Sequence, residues 1–151
     1  MYKKVLVPLD GSALAECALS HVKTLVKDGS AGEVTLLNIV KVDISWADVH
    51  DNQLNINAIR KTLFIASRKY LADVESRLIS EGVRVKTEAL ESNRPANAIT
   101  DYAQKNGMDM IVIATHGYTG MKKLMLGSVA LSVLHDSHVP VLLIRPESCR
   151  L

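Results

Sequence analysis

IATHGYTGMKKLMLGSVALSVLHDSHVPVLLIRP, residues 113–146, runs from one apolar segment to another through three glycines and a Gly-Ser pair. Both ends are short and rich in Val, Ile and Leu, which marks them as strands. Between them, residues from Ser128 to His135 read as a helix. Strand, loop, helix, strand is the unit of a parallel sheet, because parallel neighbours need a crossover connection.

The unit recurs upstream. Apolar runs at residues 4–9 (KVLVPL), 34–40 (VTLLNIV), 83–90 (VRVKTEAL), 108–114 (MDMIVIA) and 139–145 (VPVLLIR) predict five strands. The third alternates, as at a half-wet edge; the others are nearly continuous, as in strands buried on both faces. Ser12 can cap a first helix whose stripe is Leu14, Ala18, Leu19, Val22, Leu25 and Val26. Residues 58–81 form a second, with Ile59, Leu63, Ala66, Tyr70, Val74 and Leu78 inward and Gly82 as its stop. Arg94-Pro95 opens a third, with Ala98, Ile99 and Tyr102 inward and Gly107 ending it. Strict alternation predicts an α/β fold of three layers, helices covering both faces of an open parallel sheet.

The length of 151 residues fits one domain, 1–151, able to bury about 70% of the surface of its unfolded chain. Hydrophobic residues make up 48% and aromatics 4%, so the core must be aliphatic. A net charge of +2 without a clustered basic face argues against a nucleic-acid partner. No apolar run approaches the roughly 20 residues that span a bilayer, so no membrane partner is expected. Cys17 and Cys149 lack metal-ligand or CxxC spacing and offer no reactive pairing, and no leader pattern opens the chain. A cytoplasmic location is the expectation.

Ligands of such sheets bind beyond the C-terminal strand ends, where successive connections diverge. The informative loops are therefore Pro8 to Ser12 after strand one and Thr115 to Gly120 after strand four. Gly117 and Gly120 permit positive φ and close approach of a ligand. Gly127-Ser128 opens the last helix, whose free N–H groups and dipole suit an anion such as phosphate. The plainer reading is that these glycines only shape a loop and start a helix. Neither GxxxxGK[ST] nor a GxGxxG after the first strand is present, which excludes the two better-known phosphate cradles.

VLVPLDGS at the start, DMIVIATHGYTG with LGSVALSVL, and the closing VPVLLIRP together resemble the universal stress protein family, in order over the whole chain. The resemblance implies a Rossmann-like fold of the adenine-nucleotide alpha hydrolase-like kind, with strand order 3-2-1-4-5. The family's ATP-binding branch carries Gly, two residues, Gly, nine residues, then Gly with Ser or Thr. Here that frame reads Ala114, Thr115-His116, Gly117, nine residues, Gly127-Ser128, so alanine replaces the first glycine. The added methyl matters if the ligand packs on that Cα or the backbone needs positive φ. Asn93 replaces a glycine in the turn before helix three, where asparagine tolerates the left-handed conformation.

By the same resemblance, Pro8, Leu9 and Asp10 border the adenosine, Ile39 contacts adenine, and Gly117, Gly127, Ser128, Val129 and Ala130 hold the phosphates. Asp10 could instead cap helix one beside Ser12, and Ser128 could be an N-cap; His116 could touch a phosphate or be solvated. The implied cofactor is ATP, or AMP or ADP, with magnesium held mainly by the phosphates. No protein metal site is expected, since His135 and His138 lack a third partner and suit a helix C-terminus. Lys122 and Lys123 could steer an anion, and Trp46, in the acidic stretch 41–55, could cover the adenine. No nucleophile stands beside an evident base, so catalysis is expected to be slow or absent. The chain reads as a nucleotide-binding stress regulator or sensor, homodimeric through the last strand, Val139 to Arg145. The alternatives are a nucleotide-independent dimeric interaction protein and, third, a weak ATPase or autophosphorylating protein.

Overall fold

The computed structural model describes residues 1–42, 55–115 and 127–145. Five strands, β1 (Tyr2–Pro8), β2 (Ala31–Val40), β3 (Val85–Glu91), β4 (Met110–Ala114) and β5 (Val141–Ile144), form one sheet of order β3-β2-β1-β4-β5. Every pairing is parallel. The helices are α1 (Ala18–Lys27), α2 (Ile56–Ser80), α3 (Pro95–Lys105) and α4 (Ser128–Asp136), with a 3-10 turn at Ala15–Cys17 leading into α1.

Alternation along the central strands divides the core. Val5, Val7, Leu36 and Val112 pack under α1 and α2 with Val22, Leu71, Val74 and Leu78. Leu6, Leu37, Ile111 and Ile113 pack on the opposite side with Ile99, Ala103, Ala130 and Val133 from α3 and α4. Aliphatic side chains carry both layers, each fully buried one stabilising by about 1.5–3 kcal/mol. Gly82 and Gly107 follow the helix ends with φ of +85° and +61°, as the stop signals require.

Three expectations change, while β5 lies at the sheet edge, where the implied order 3-2-1-4-5 puts it, with Leu142 37% exposed. Adjacent Val and Leu residues report apolarity, not whether a neighbouring strand exists. The inward face of α2 is Ser67, Leu71, Val74 and Leu78; Ile59, Leu63 and Ala66 are exposed. Along its 25 residues, about 37 Å, α2 meets the described core only through its second half, from Ser67 onward. Asn93 does not use the left-handed region, since no non-glycine residue among those described has positive φ. The turn is instead shaped by Ser92, whose Oγ accepts the Arg94 N–H at 3.0 Å. Cys17 is disulfide-bonded rather than an unpaired thiol.

Candidate functional site

β1 lies between β2 and β4, so the chain leaves it at the switch point of the sheet. There a cleft of about 440 Å³ opens, within the usual range for small-molecule sites. One wall comes from the loop after β1 and the end of β2: Pro8, Leu9, Asp10, Ala15, Ile39 and Lys41. The opposite wall is Ala114, Thr115 and the first residues of α4, Gly127 to Ala130. Pro95 and Ile99 of α3 close the side, with Leu37 and Ile113 as apolar floor.

The first wall is tightly wired. Leu9 N–H donates to the Leu37 carbonyl at 2.8 Å, and the Leu9 carbonyl accepts from Asn38 Nδ2 at 2.8 Å. Asp10 Oδ1 accepts from Ser12 N at 2.9 Å and from Ser12 Oγ at 2.5 Å. Ser12 Oγ in turn accepts the Ala15 N–H at 3.1 Å, capping the 3-10 turn. Asp10 therefore closes a turn with Ser12 through Oδ1 and does not cap α1, whose N-cap Cys17 makes no side-chain capping bond; the Asp10 Oδ2 has no partner among the described residues. Gly11 between them has φ of +88°, a conformation that only glycine holds without strain. Behind the turn, Glu16 accepts from Tyr70 Oη at 2.9 Å and pairs with Arg77 at 2.6 Å. Burial, then the hydrogen bond to Glu16, raise the Tyr70 phenol well above the ordinary tyrosine value, with the Asp10 charge adding to the shift.

The second wall is largely unspent. Gly127 occupies the N-cap of α4 and Ser128 the first helical position, so Ser128 is not the cap. The Gly127 amide is already used, donating to the Thr115 carbonyl at 2.5 Å. The first helical hydrogen bond runs from Leu131 N to Gly127 O. The N–H groups of Ser128, Val129 and Ala130 thus have no acceptor among the described residues, as the first turn of a helix dictates. Together with the helix dipole they favour an anion. Among the predicted phosphate contacts, Gly127 can contribute its lack of a side chain but not its amide.

Of the other predicted residues, Pro8, Leu9, Ile39 and Ala114 line this cleft. Ala114 pairs with Ile144 in ordinary strand conformation and is 7% exposed, so its backbone makes no demand for glycine. His116, Gly117, Gly120, Lys122, Lys123 and Trp46 lie outside the described residues. His135 pairs with Asp136 at 2.7 Å on the surface, away from the cleft lining. No group of three His, Cys, Asp or Glu among the described residues is placed to hold a metal. Sequence reasoning found Thr115 in the loop after strand four but missed Ala15, Leu37, Lys41, Pro95, Ile99 and Ile113 as lining residues. Lys41 stands directly after a strand, a signal that could have found it; Pro95 and Ile99 enter only through the packing of α3.

A parallel sheet of order 3-2-1-4-5 with a helix N-terminus facing the loop after its central strand is a nucleotide-binding type of α/β architecture. The universal stress protein family model matches residues 1–145, and the chain belongs to that family. It is 34% identical over 145 residues to universal stress protein MJ0531 of Methanocaldococcus jannaschii, covering 96% of this chain and 83% of that one. The solved structure of MJ0577 from the same organism superposes with a TM-score of 0.81 at 32% identity, covering 96% of each chain. A universal stress protein family protein of Arabidopsis thaliana, solved with AMP bound, shares the fold at 19% identity and a TM-score of 0.58, covering 95% of this chain and 91% of that one. No helix among the described residues is long and apolar enough to cross a membrane.

Proposed function

We propose that the chain binds an adenine nucleotide, ATP or else AMP or ADP, in the cleft between the β1 loop and α4, and acts as a stress sensor that differs between loaded and empty states. The observation that carries this reading is the set of three successive amides, Ser128 to Ala130, without an acceptor among the described residues, at the cleft whose far wall is the Leu9–Asp10 loop. The adenosine lies against Pro8, Leu9 and Ile39, with Asp10 Oδ2 accepting from ribose or base; the phosphates lie on α4. A fold that holds AMP in a plant relative supports the ligand class. Magnesium arrives on the phosphates, since this ion keeps most of its ligands as water and phosphate oxygens. Asp10, the one carboxylate among the described lining residues, is engaged by Ser12 rather than poised as a base, so hydrolysis is slow or absent.

Denaturing the purified protein and chromatographing the supernatant should release ATP or AMP. The emptied chain should gain thermal stability in millimolar Mg-ATP, by about 2.7 kcal/mol when ligand is a hundredfold above its Kd. A chain that carries no nucleotide and gains no stability overturns the reading.

A separate observation favours assembly as a second reading. β5 is an apolar edge, and Leu142, Leu131 and Leu134 are 37%, 51% and 43% exposed. Unpaired edges invite strand addition, and a second copy pairing through Val139 to Arg145 covers this one. Leu142→Pro should convert the dimer to monomer or insoluble chain on size-exclusion chromatography; a soluble, stable dimer would argue against edge pairing.

A further inference from the structure

We propose that Asn38 and Ser67 form a positioning pair that sets the nucleoside wall of the cleft and couples it to helix α2; this rests on the adenine-nucleotide reading. Asn38 is a half-buried polar residue inside a strand whose preceding residues Leu36 and Leu37 are wholly buried, one on each face of the sheet. An amide in such a place costs stability unless both of its ends are satisfied. Both are. Nδ2 donates to the Leu9 carbonyl at 2.8 Å, and Oδ1 accepts from Ser67 Oγ at 2.6 Å. The orientation is chemically fixed, since a carbonyl only accepts and so must face Nδ2. Ser67, 8% exposed, is the buried polar residue of an otherwise aliphatic face of α2.

The position of this pair makes it more than a core hydrogen bond. The β1–β2 ladder reaches Leu9 N–H and goes no further, so the Leu9 carbonyl belongs to the first peptide unit beyond the sheet. That planar unit also contains the Asp10 nitrogen, and holding its carbonyl fixes the direction in which Asp10 and Gly11 leave the strand. Leu9 and Asp10 line the cleft, as does Ile39, the residue after Asn38. One turn along α2 from Ser67, Tyr70 holds the same region from behind through Glu16. The long helix therefore bonds through Ser67 to Asn38 behind the nucleoside wall and, three residues on, through Tyr70 to Glu16, which follows the lining residue Ala15 but lies outside the cleft lining. No hydrogen bond among the described residues links it to the amides of α4. The pair acts on the base and sugar, and leaves the phosphates to α4.

The test compares adenosine, AMP and ATP affinities by titration calorimetry in the full chain, its Asn38→Leu variant, and the variants Ser67→Ala and Ser67→Thr. Losing a partner of a buried carbonyl should weaken adenosine about tenfold in Asn38→Leu, and AMP and ATP by the same factor, leaving the ATP to adenosine ratio unchanged. Ser67→Ala should show a smaller loss and Ser67→Thr, which keeps the hydroxyl, should restore affinity to about the parent value. A folded Asn38→Leu chain binding adenosine like the parent overturns the proposal, as does a changed ATP to adenosine ratio. If Asn38→Leu does not fold, equal adenosine affinities in Ser67→Ala and Ser67→Thr overturn it instead. A parent that binds none of the three ligands removes the nucleotide reading itself, a different result from a parent that binds and variants that bind alike.

Discussion

The two walls of the cleft are built on opposite plans. On the β1 side, side chains satisfy almost every group: Asp10 with Ser12, Ser12 with Ala15, Leu9 with Asn38, Asn38 with Ser67, Glu16 with Tyr70. On the α4 side, the N-cap is a glycine without a side-chain bond, and three amides point outward with no acceptor among the described residues. A wall already satisfied offers shape and a few fixed polar atoms; a wall left unsatisfied offers binding energy to whatever anion completes it. Recognition of a base and capture of a phosphate call for these two different designs.

The contrast breaks most visibly at Ser128. Ser128→Pro removes one amide at the first helical position, where proline is tolerated, and Gly127 with ψ of 147° already has the backbone that precedes proline. ATP affinity measured by calorimetry should fall about 10- to 100-fold, the worth of a hydrogen bond to a charged group, while adenosine affinity stays constant. Ser128→Ala, which keeps the amide, should stay near the parent. Equal ATP losses in the two variants would show that the hydroxyl, not the amide, faces the phosphates.

A second break falls on the wired wall. Gly11→Ala meets no steric neighbour, yet its φ of +88° forces strain, so stability should drop by about 1–2 kcal/mol in urea unfolding. Adenosine binding should weaken with it and the ATP to adenosine ratio should hold. An unchanged unfolding midpoint would mean that the Asp10–Ser12 turn adopts another conformation in solution.

The smallest effect sharpens the comparison from behind. Tyr70→Phe should cost about 1 kcal/mol at pH 7 by removing the hydrogen bond to Glu16. Since the folded-state phenol is raised above its unfolded value of 10.0, its contribution is complete below about pH 10 and is lost as the pH rises toward the folded value. Parent stability should therefore fall more steeply with pH above 10 than that of the Phe variant. Parallel slopes would show that the phenol is not held protonated.

Much of this was legible beforehand, and the failures have a common cause. Continuous apolar runs in β1, β2 and β4 and the alternation of β3 reflect burial on two faces or one, which composition reports directly. Apolarity in β5 was equally clear, but the sequence does not say whether the cover comes from this chain. Ile59 and Leu63 keep helical spacing with Val74 and Leu78, yet are exposed while the second half of α2 packs on the core. In the site, the strand-end positions of Pro8 to Asp10 and of Ala114, and the glycine-led start of α4, were visible as local chemistry. The tie between Asn38 and Ser67 was not, since 29 residues separate them and neither belongs to a motif.

The order of apolar runs, turns and caps in the sequence determined by itself that this chain forms a parallel sheet covered by helices, because periodicity and chain-reversal chemistry act over a few residues. Tertiary structure alone decided that the Gly127 amide is spent on Thr115, that Asp10 is held by Ser12, and that α2 is tied through Ser67 to Asn38 and through Tyr70 to Glu16. Such pairings depend on distance and direction between segments far apart in the chain, and these exist only once the core has closed.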